Sequence, residues 1–176
     1  PYDQLPHAYL KYDGLNLNGG FNLNVNTEVT HFKSDPAFTT QANGTRAFNQ
    51  IEISRPFKSP AYFITPKAKF HNAAYQFDTP LRNGDTSASL SVPTFSLDSG
   101  LVFDRSVSLW GRDLTQTLEP RGFYVYTPFR EQSLLPNYDS AARDFNFAAL
   151  FTENPYSGNS RIPDTNVFTY GLSSKF

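Results

Sequence analysis

Hydrophobic and polar residues alternate along a long stretch near the start of the chain. Between Leu15 and Phe32 the odd positions are mostly apolar and most even positions carry Asn. Because successive side chains of a β-strand point to opposite faces, this period of two predicts a strand with one apolar and one amide-rich face. The stretch is long for a soluble protein and is typical of a tilted strand that crosses a membrane. Asn22, Asn24 and Asn26 are then candidates to face a water-filled lumen.

Six further segments show the same alternation, so the sequence predicts about seven strands. Leu5–Tyr12 precedes the Asn-rich strand, and Asp13-Gly14 between the two predicts a two-residue hairpin turn. We interpret 94–106 as one strand that keeps its phase across a weak point at Gly100. The remaining predicted strands are 47–55, 61–77, 115–126 and 166–176.

Short and long connections alternate between these strands. Short connections are predicted at 13–14, 56–60 and 107–114, and long ones at 33–46, 78–93 and 127–164. Outer-membrane barrels have this asymmetry, with short periplasmic turns and long external loops. The predicted fold class is therefore all-β, an antiparallel transmembrane β-barrel segment. Seven strands cannot close such a barrel and the chain begins at Pro1, so we expect further strands to lie outside this sequence.

Composition adds limits on function. Aromatic residues make up 16% of the chain and charged residues 18%, and the formal net charge is −1. This charge provides no field that would attract nucleic acid. The absence of cysteine excludes thiolate metal sites within the chain, and its three histidines follow no ligand spacing. We therefore predict no cofactor and no metal site.

The sequence predicts no catalytic centre. Asp98, Asp104, Asp113 and Glu119 are carboxylates that glycoside hydrolysis could use, but that reaction needs two of them at a defined separation. Nothing in their spacing selects a pair. No nucleophile elbow and no glycine-rich phosphate loop occurs either. The protein is not expected to be an enzyme.

The segment at 118–121 combines two charged residues with a proline. Glu119 and Arg121 are two positions apart, so they share one face of a strand and can pair with each other or with neighbouring strands. We prefer the interpretation that they fix strand register, with a charge network in the lumen as the functional alternative. Pro120 cannot donate a ladder hydrogen bond and is expected at a bulge or a strand end.

The second half of the chain carries several motifs in a fixed order, and together they resemble the barrel of the LptD (OstA) family of lipopolysaccharide-assembly proteins. The resemblance is specific over roughly residues 101–176, whereas residues 1–100 match in pattern and order. The motifs are Val102-Phe103-Asp104-Arg105, Thr117-Leu118-Glu119-Pro120-Arg121, Pro128-Phe129-Arg130-Glu131-Gln132, Asn137-Tyr138-Asp139-Ser140 and Arg161-Ile162-Pro163-Asp164-Thr165-Asn166. The positions that the resemblance singles out for a structural or lumen role are Leu118, Glu119, Pro120, Arg121, Arg130, Tyr138, Asp139, Arg161 and Asp164.

The resemblance implies a place in the outer membrane of a Gram-negative bacterium, where the family inserts lipopolysaccharide into the outer leaflet. The implied partners are lipopolysaccharide, outer-membrane lipid, an LptE-like lipoprotein that plugs the barrel, and the periplasmic proteins that bridge lipopolysaccharide to an N-terminal jellyroll. Nucleic acid is not among them. Residues 1–176 correspond to part of the barrel domain. The jellyroll, the seam strands and the family's cysteines are expected elsewhere.

The longest predicted connection, 127–164, is expected to fold over the barrel mouth and to contact the plug. Its apolar residues Phe145, Phe147, Leu150 and Phe151 are the candidates for that contact. Two other classes stay open. A porin or another transporter barrel would lack the motif string at 115–130. A soluble carbohydrate-binding β-sandwich would stay folded and monomeric without detergent.

Overall fold

The computed structural model describes residues 3–34, 37, 42–138 and 162–175. Within these ranges the chain forms nine strands of one antiparallel sheet. None of the described residues belongs to a helix long and apolar enough to cross a membrane. The strands are β1 (Asp3–Leu17), β2 (Phe21–Lys33), β3 (Gly44–Ser54), β4 (Phe57–Lys58), β5 (Tyr62–Phe77), β6 (Ser87–Leu101), β7 (Phe103–Leu109), β8 (Arg112–Thr127) and β9 (Thr165–Lys175).

The sheet is a meander in which neighbours in sequence are neighbours in space. The main path runs β1-β2-β3-β5-β6-β8, and the two-residue β4 pairs with β5. β7 continues β6 along the same edge of β8, and β9 covers the other edge of β8. In the described part of the chain β1 and β9 are the outermost strands and do not pair with each other. The predicted fold class, an antiparallel all-β barrel segment with an unclosed sheet, is confirmed.

The connections alternate in length as predicted. Short turns lie at 18–20, 55–61 and 110–111, and the long connections are 34–43, 78–86 and 128–164. Because the strands are antiparallel, all short turns lie at one end of the sheet, which we call the turn end, and all long connections lie at the other, the loop end. The turn at 110–111 has left-handed backbone at both residues, with φ of 47° at Trp110 and 73° at Gly111. This geometry matches the twist of the strands that it joins.

The predicted hairpin turn at Asp13-Gly14 is wrong. β1 continues through these residues to Leu17, with a register irregularity between Gly14 and Leu17, and the chain reverses at 18–20. Gly19 and Gly20 have φ of 83° and 79°, a region that glycine adopts without strain. The amide of Gly20 donates to the carbonyl of Leu17 at 2.8 Å and closes the turn. Two turn signals lie five residues apart here, and the one with two consecutive glycines is the turn.

The segment predicted as one strand at 94–106 is longer and is divided differently. β6 begins at Ser87, and the break before β7 falls at Val102 rather than at Gly100. The ladder resumes in the same register beyond the break, so the predicted phase is correct. The start was missed because serines and Pro93 obscure the alternation. Pro93 is tolerated because the β6–β8 ladder ends at Phe95, which leaves one edge of β6 unpaired there.

The two faces of the sheet differ sharply in chemistry. One, the apolar face, carries large hydrophobic side chains that are exposed, most of them on central strands. The other, the polar face, carries the Asn row of β2 and most of the charged side chains that follow below. Exposed residues of the apolar face include Phe21, Val29, Ile53, Ile64, Phe70, Phe95, Leu97, Leu101, Tyr124, Tyr126, Phe168, Tyr170 and Leu172.

A hydrophobic cluster covers the polar face at the loop end only. Strand residues Phe32, Tyr75 and Phe77 are buried there beneath Leu135 and Tyr138 of the long connection. Ala73, Leu90, Val92 and Ile162 complete this loop-end cluster. The core of the described sheet is therefore formed where residues of the long connection pack onto the polar face.

Candidate functional site

The Asn row predicted for a wet face lies on the polar face. Asn22, Asn24 and Asn26 of β2 are partly buried and stand opposite Ser54, Glu52 and Gln50 of β3. The carboxamide of Asn24 donates to the carboxylate of Asp13, and Asn22 Oδ1 accepts the amide of Asn16 at 2.8 Å. The three amides thus sit in a row of polar groups, as their spacing predicted. Their predicted contact with a lumen stays a prediction.

Paired charges extend this polar row across the sheet. Glu52 lies 3.4 Å from the ammonium of Lys69 and 3.8 Å from that of Lys67. Lys11 and Asp13 form a second pair at 3.2 Å on β1. These side chains keep part of their surface in solvent, so each pair contributes little to stability and leaves hydrogen-bonding capacity for other polar molecules.

A desolvated ion pair lies nearer the loop end. The guanidinium of Arg46 is fully buried, and its Nη2 donates to Glu28 at 2.8 Å. It also lies over the ring of Phe32, 4.9 Å from the centroid, and His7 Nε2 is 3.7 Å from Glu28. Such a pair is costly to break, because removal of one partner leaves a buried charge. Sequence reasoning missed it, since residues 28 and 46 meet only once the β2–β3 register is known.

The two charged residues of the 118–121 motif pair with different strands. Arg121 makes a bidentate contact to Asp98 of β6, at 2.9 and 2.7 Å. Glu119 accepts from Lys175 of β9 at 3.0 and 3.2 Å, and from the Ser173 hydroxyl at 3.4 Å. Each pair is diagonal across the ladder, so it favours one register of its neighbour. This geometry supports the interpretation that these residues fix strand register.

Leu118 and Pro120 lie on the apolar face of the same strand. Leu118 stands opposite Phe103, and Pro120 stands opposite Leu172. The expectation that Pro120 marks a bulge or an end of its own strand is wrong, because β8 continues through it without a register shift. The break is in the neighbouring strand, where the ladder stops at Gly100 and resumes at Phe103. The missing N–H of Pro120 coincides with that break.

The described ends of the long connection 128–164 fold onto the polar face. The ring of Tyr138 stacks on Phe32 with centroids 4.1 Å apart and planes 5° from parallel. Its hydroxyl donates to the carbonyl of Ala42 at 3.2 Å. Gln132 joins the two ends through its side chain: Oε1 accepts the backbone amide of Ile162 at 3.1 Å, and Nε2 donates to the backbone carbonyl of Ile162. The motif residue Tyr138 thus holds the connection against the sheet.

The remaining motif positions divide into two groups. Arg130 lies at the loop end on the apolar face, and Asp164 is exposed beside Glu131 in a groove of about 310 Å³. Hydrogen bonds from the hydroxyl and amide of Ser133 lower the pKa of the Glu131 carboxyl. Six predicted residues lie outside the described ranges, and what was predicted for them stays a prediction: Asp139, Arg161, Phe145, Phe147, Leu150 and Phe151.

Several charged side chains of the polar face are engaged in ion pairs with one another. Two of the four carboxylates considered for hydrolysis, Asp98 and Glu119, are engaged by Arg121 and Lys175. Among the described residues no group of three or more His, Cys, Asp or Glu side chains could hold a metal ion. The polar face is a surface of paired charges and amides.

Comparisons with known proteins agree with the motifs. The sequence matches the family described as LptD, LPS transport system D, over residues 1–176. It is 54% identical to an LPS-assembly protein LptD of a Polaromonas species over 180 positions, 49% identical to one of an Acidovorax species, and 50% identical to one of Paracidovorax citrulli. Each alignment covers 99% of this chain but only 21–22% of the relative, so the chain spans about a fifth of their length. The chain belongs to the LptD family.

Proposed function

We propose that this chain forms part of the wall and mouth of an outer-membrane barrel that inserts lipopolysaccharide into the outer leaflet. One observation carries the proposal. A single sheet exposes large hydrophobic side chains on one face and amides and paired charges on the other. A soluble protein rarely leaves such an apolar surface uncovered. A barrel wall has lipid on one side and water on the other.

The height of the apolar face suits a bilayer. On β5 its apolar side chains run from Tyr62 to Phe70. At about 3.4 Å per residue and a tilt of about 40°, this stretch rises about 20 Å, close to the band of about 25 Å in outer-membrane barrels. The turn end then faces the periplasm and the loop end faces the exterior.

The polar face would line the path of the saccharide part of the lipid. Asn22, Asn24 and Asn26 offer donors and acceptors to sugar hydroxyls. Because neighbouring charges such as Glu52 and Lys69 are paired, the wall attracts neither sign of charge strongly. Such a surface forms hydrogen bonds with a glycan but does not bind it tightly. Passage along the surface requires both the contact and the weak binding.

The proposed role includes no catalysed reaction. Further partners are an LptE-like lipoprotein inside the barrel and periplasmic bridge proteins that meet other parts of the whole protein. The docking of Leu135 and Tyr138 over the polar face supports a mouth partly closed by the long connection. Its apolar residues at 145–151 are the proposed contact with the plug.

The test uses the whole protein in its membrane, with a photoreactive residue in place of Asn24. Illumination should yield an adduct with lipopolysaccharide while new lipid is supplied from the periplasm, and the adduct should fade when the supply is stopped. The matched control replaces Val25, the next residue of β2, which belongs to the apolar face.

The Val25 position should react with resident membrane lipid whether or not new lipid is supplied. If position 24 yields no lipopolysaccharide adduct under active supply, the proposed path along the polar face is wrong. An adduct at position 25 that follows the supply would reverse the assignment of the two faces.

A further inference from the structure

A positively charged side chain lies at the loop end of the apolar face, where the hydrophobic residues stop. Arg130 is exposed and follows the last residues of β8. Its Nε donates to the carbonyl of Ser91 at 3.1 Å, and its Nη1 donates to the carbonyl of Phe129 at 2.9 Å. Two backbone carbonyls thus hold the plane of the guanidinium against β6.

The charge of Arg130 is not neutralised by the described residues. Arg130 takes part in no ion pair of the described residues, and its Nη2 has no acceptor among them. The adjacent Glu131 turns its carboxylate to the amide of Ser133, at 2.7 Å. A fixed guanidinium with a free edge and no counter-ion among the described residues is suited to a phosphate or carboxylate from another molecule.

Polar side chains surround this charge on the same face. The Ser91 hydroxyl donates to Asn72 Oδ1 at 2.7 Å, which leaves the amide group of Asn72 available as a donor. Ser89 lies one step closer to the loop end and is exposed. The Asn72 amide and the serine hydroxyls therefore offer neutral donors beside the guanidinium, which an anion on Arg130 can use.

The cluster borders an apolar floor. Arg130, Glu131, Ser89 and Ser91 line a groove of about 540 Å³ together with Phe70, Leu90 and Pro93. The Glu131 carboxylate in this lining accepts from the amide of Ser133, at 2.7 Å. Below Phe70 and Pro93 the apolar face continues without interruption through Phe95 and Tyr126. The groove is thus polar toward the loop end, where the Arg130 guanidinium and the Glu131 carboxylate lie, and apolar toward the turn end.

We propose that this groove, on the lipid side of the wall, binds the phosphate-bearing headgroup of a lipid of the external leaflet, with Arg130 on the phosphate and the acyl chains against Phe70 and Phe95. The inference rests on the proposed function in one respect, that the sheet crosses the outer membrane with its loop end outward. The occupant is a membrane lipid rather than a protein, because only a lipid presents an anion and hydrocarbon in this order at this height.

The experiment places a photoreactive residue at Ser89 of the full-length protein in bilayers of digalactosyldiacylglycerol, a neutral lipid without phosphate. The probes are bis-phosphorylated lipid A and the same lipid A after enzymatic removal of its phosphates. The phosphorylated probe should label position 89 about tenfold more than the dephosphorylated one, since a charge-assisted contact is worth at least one decade of binding.

The variant Arg130→Gln should abolish this preference. The control Arg105→Gln should retain it, because Arg105 is also exposed but lies at the turn end, bonded to Gln116 at 2.7 Å. Heat-modifiable migration on gels verifies that both variants fold. Equal labelling by the two probes, or a preference that survives in Arg130→Gln, would overturn the proposal. A protein adduct at position 89 in place of lipid would overturn it as well.

The outcome is separable from that of the function proposed above. Labelling at position 89 needs only a folded barrel in a bilayer and no supply of new lipid. Loss of the supply-dependent adduct at position 24, with the phosphate preference at 89 intact, would count against the lumen path alone. The reverse result would count against the groove alone.

Discussion

At the scale of single residues, one glycine of the sheet lies directly against the backbone of its neighbouring strand. Gly44 opens β3 on the polar face, opposite Phe77. A Cβ built on it would collide with the carbonyl oxygen of Gln76 and lie 3.0 Å from Phe77 Cα. Gly122 differs, because a Cβ there would meet side chains alone, the tip of the exposed Phe168 ring at 3.3 Å and the Ser99 hydroxyl at 3.7 Å. Backbone in a ladder cannot move aside, whereas a ring can rotate.

We therefore expect Gly44→Ala to lower the free energy of unfolding by about 1–3 kcal/mol, the usual cost of overpacking. The matched substitution Gly122→Ala should change it by less than about 1 kcal/mol, since a smaller unfolded-state entropy offsets the ring's adjustment. Urea titration of the full-length protein in detergent, followed by heat-modifiable migration, measures both. Equal effects of the two variants would show that the approach of Gly44 to β5 is looser than described.

At this scale the sequence predicts those features that alternation within one strand determines, and not those that depend on how two strands pair. Asn22, Asn24 and Asn26 were assigned to one face correctly, because alternation within β2 determines their side. The pairing of Arg46 with Glu28 and the position of Arg130 beside Ser91 depend on the registers of two ladders. Register follows from the packing of the whole sheet, which local patterning does not contain.

At the scale of elements, the described ends of the long connection 128–164 pack onto the sheet. Tyr138 is 7% exposed; its ring stacks on Phe32 of β2, and its hydroxyl donates to Ala42 of the connection 34–43. Since backbone amides of a docked segment exchange slowly only while it stays docked, this one side chain should control the protection of its neighbours.

Tyr138→Ala should accelerate amide hydrogen exchange over residues 133–138 by about a hundredfold, because truncation of a buried aromatic ring costs several kcal/mol. Tyr138→Phe keeps the stacking on Phe32 and loses one hydrogen bond, so its effect should be about fivefold. Exchange measured by mass spectrometry on the full-length protein distinguishes the two. Unchanged exchange in the alanine variant would mean that other contacts hold the connection.

The errors of sequence reasoning at this scale were errors of boundary. Two turn signals, Asp13-Gly14 and the glycines at 19–20, compete within eight residues, and φ decides between them. Likewise, β6 extends seven residues before the predicted start, because its early side chains are small. Strand phase was predictable in both cases, since it depends on alternation alone, whereas strand ends depend on which partners remain available.

At the scale of the whole molecule, the sheet predicts a two-sided pattern of accessibility. A spin label on β2 should meet oxygen dissolved in lipid at Val25 and Leu23, and a water-soluble nickel chelate at Asn24 and Asn26. The full-length protein in bilayers provides the sample, and power-saturation measurements provide the readout. The alternation should continue with period two onto β3 at Ile51 and Ile53, against Gln50 and Glu52.

Labels that meet the chelate at all positions would indicate a sheet that lies in water on both sides. Labels that meet oxygen at all positions would indicate a sheet buried within protein or lipid. Either pattern would contradict a barrel wall. Fold class was predictable at this scale, because strand alternation and connection lengths each pointed to a barrel before any contact was known.

The charges on β8 also carry information about assembly. Arg121 pairs with an acidic residue of β6, and Glu119 pairs with a basic residue of β9. β8 therefore requires opposite charges from its two neighbours. If β9 slipped by four residues along β8, Lys175 would stand opposite Arg121, and the corresponding slip of β6 would bring Asp98 opposite Glu119. Electrostatic repulsion therefore disfavours a strand in the wrong register while the barrel assembles. Hydrophobic contacts on the apolar face do not distinguish one register from another in this way.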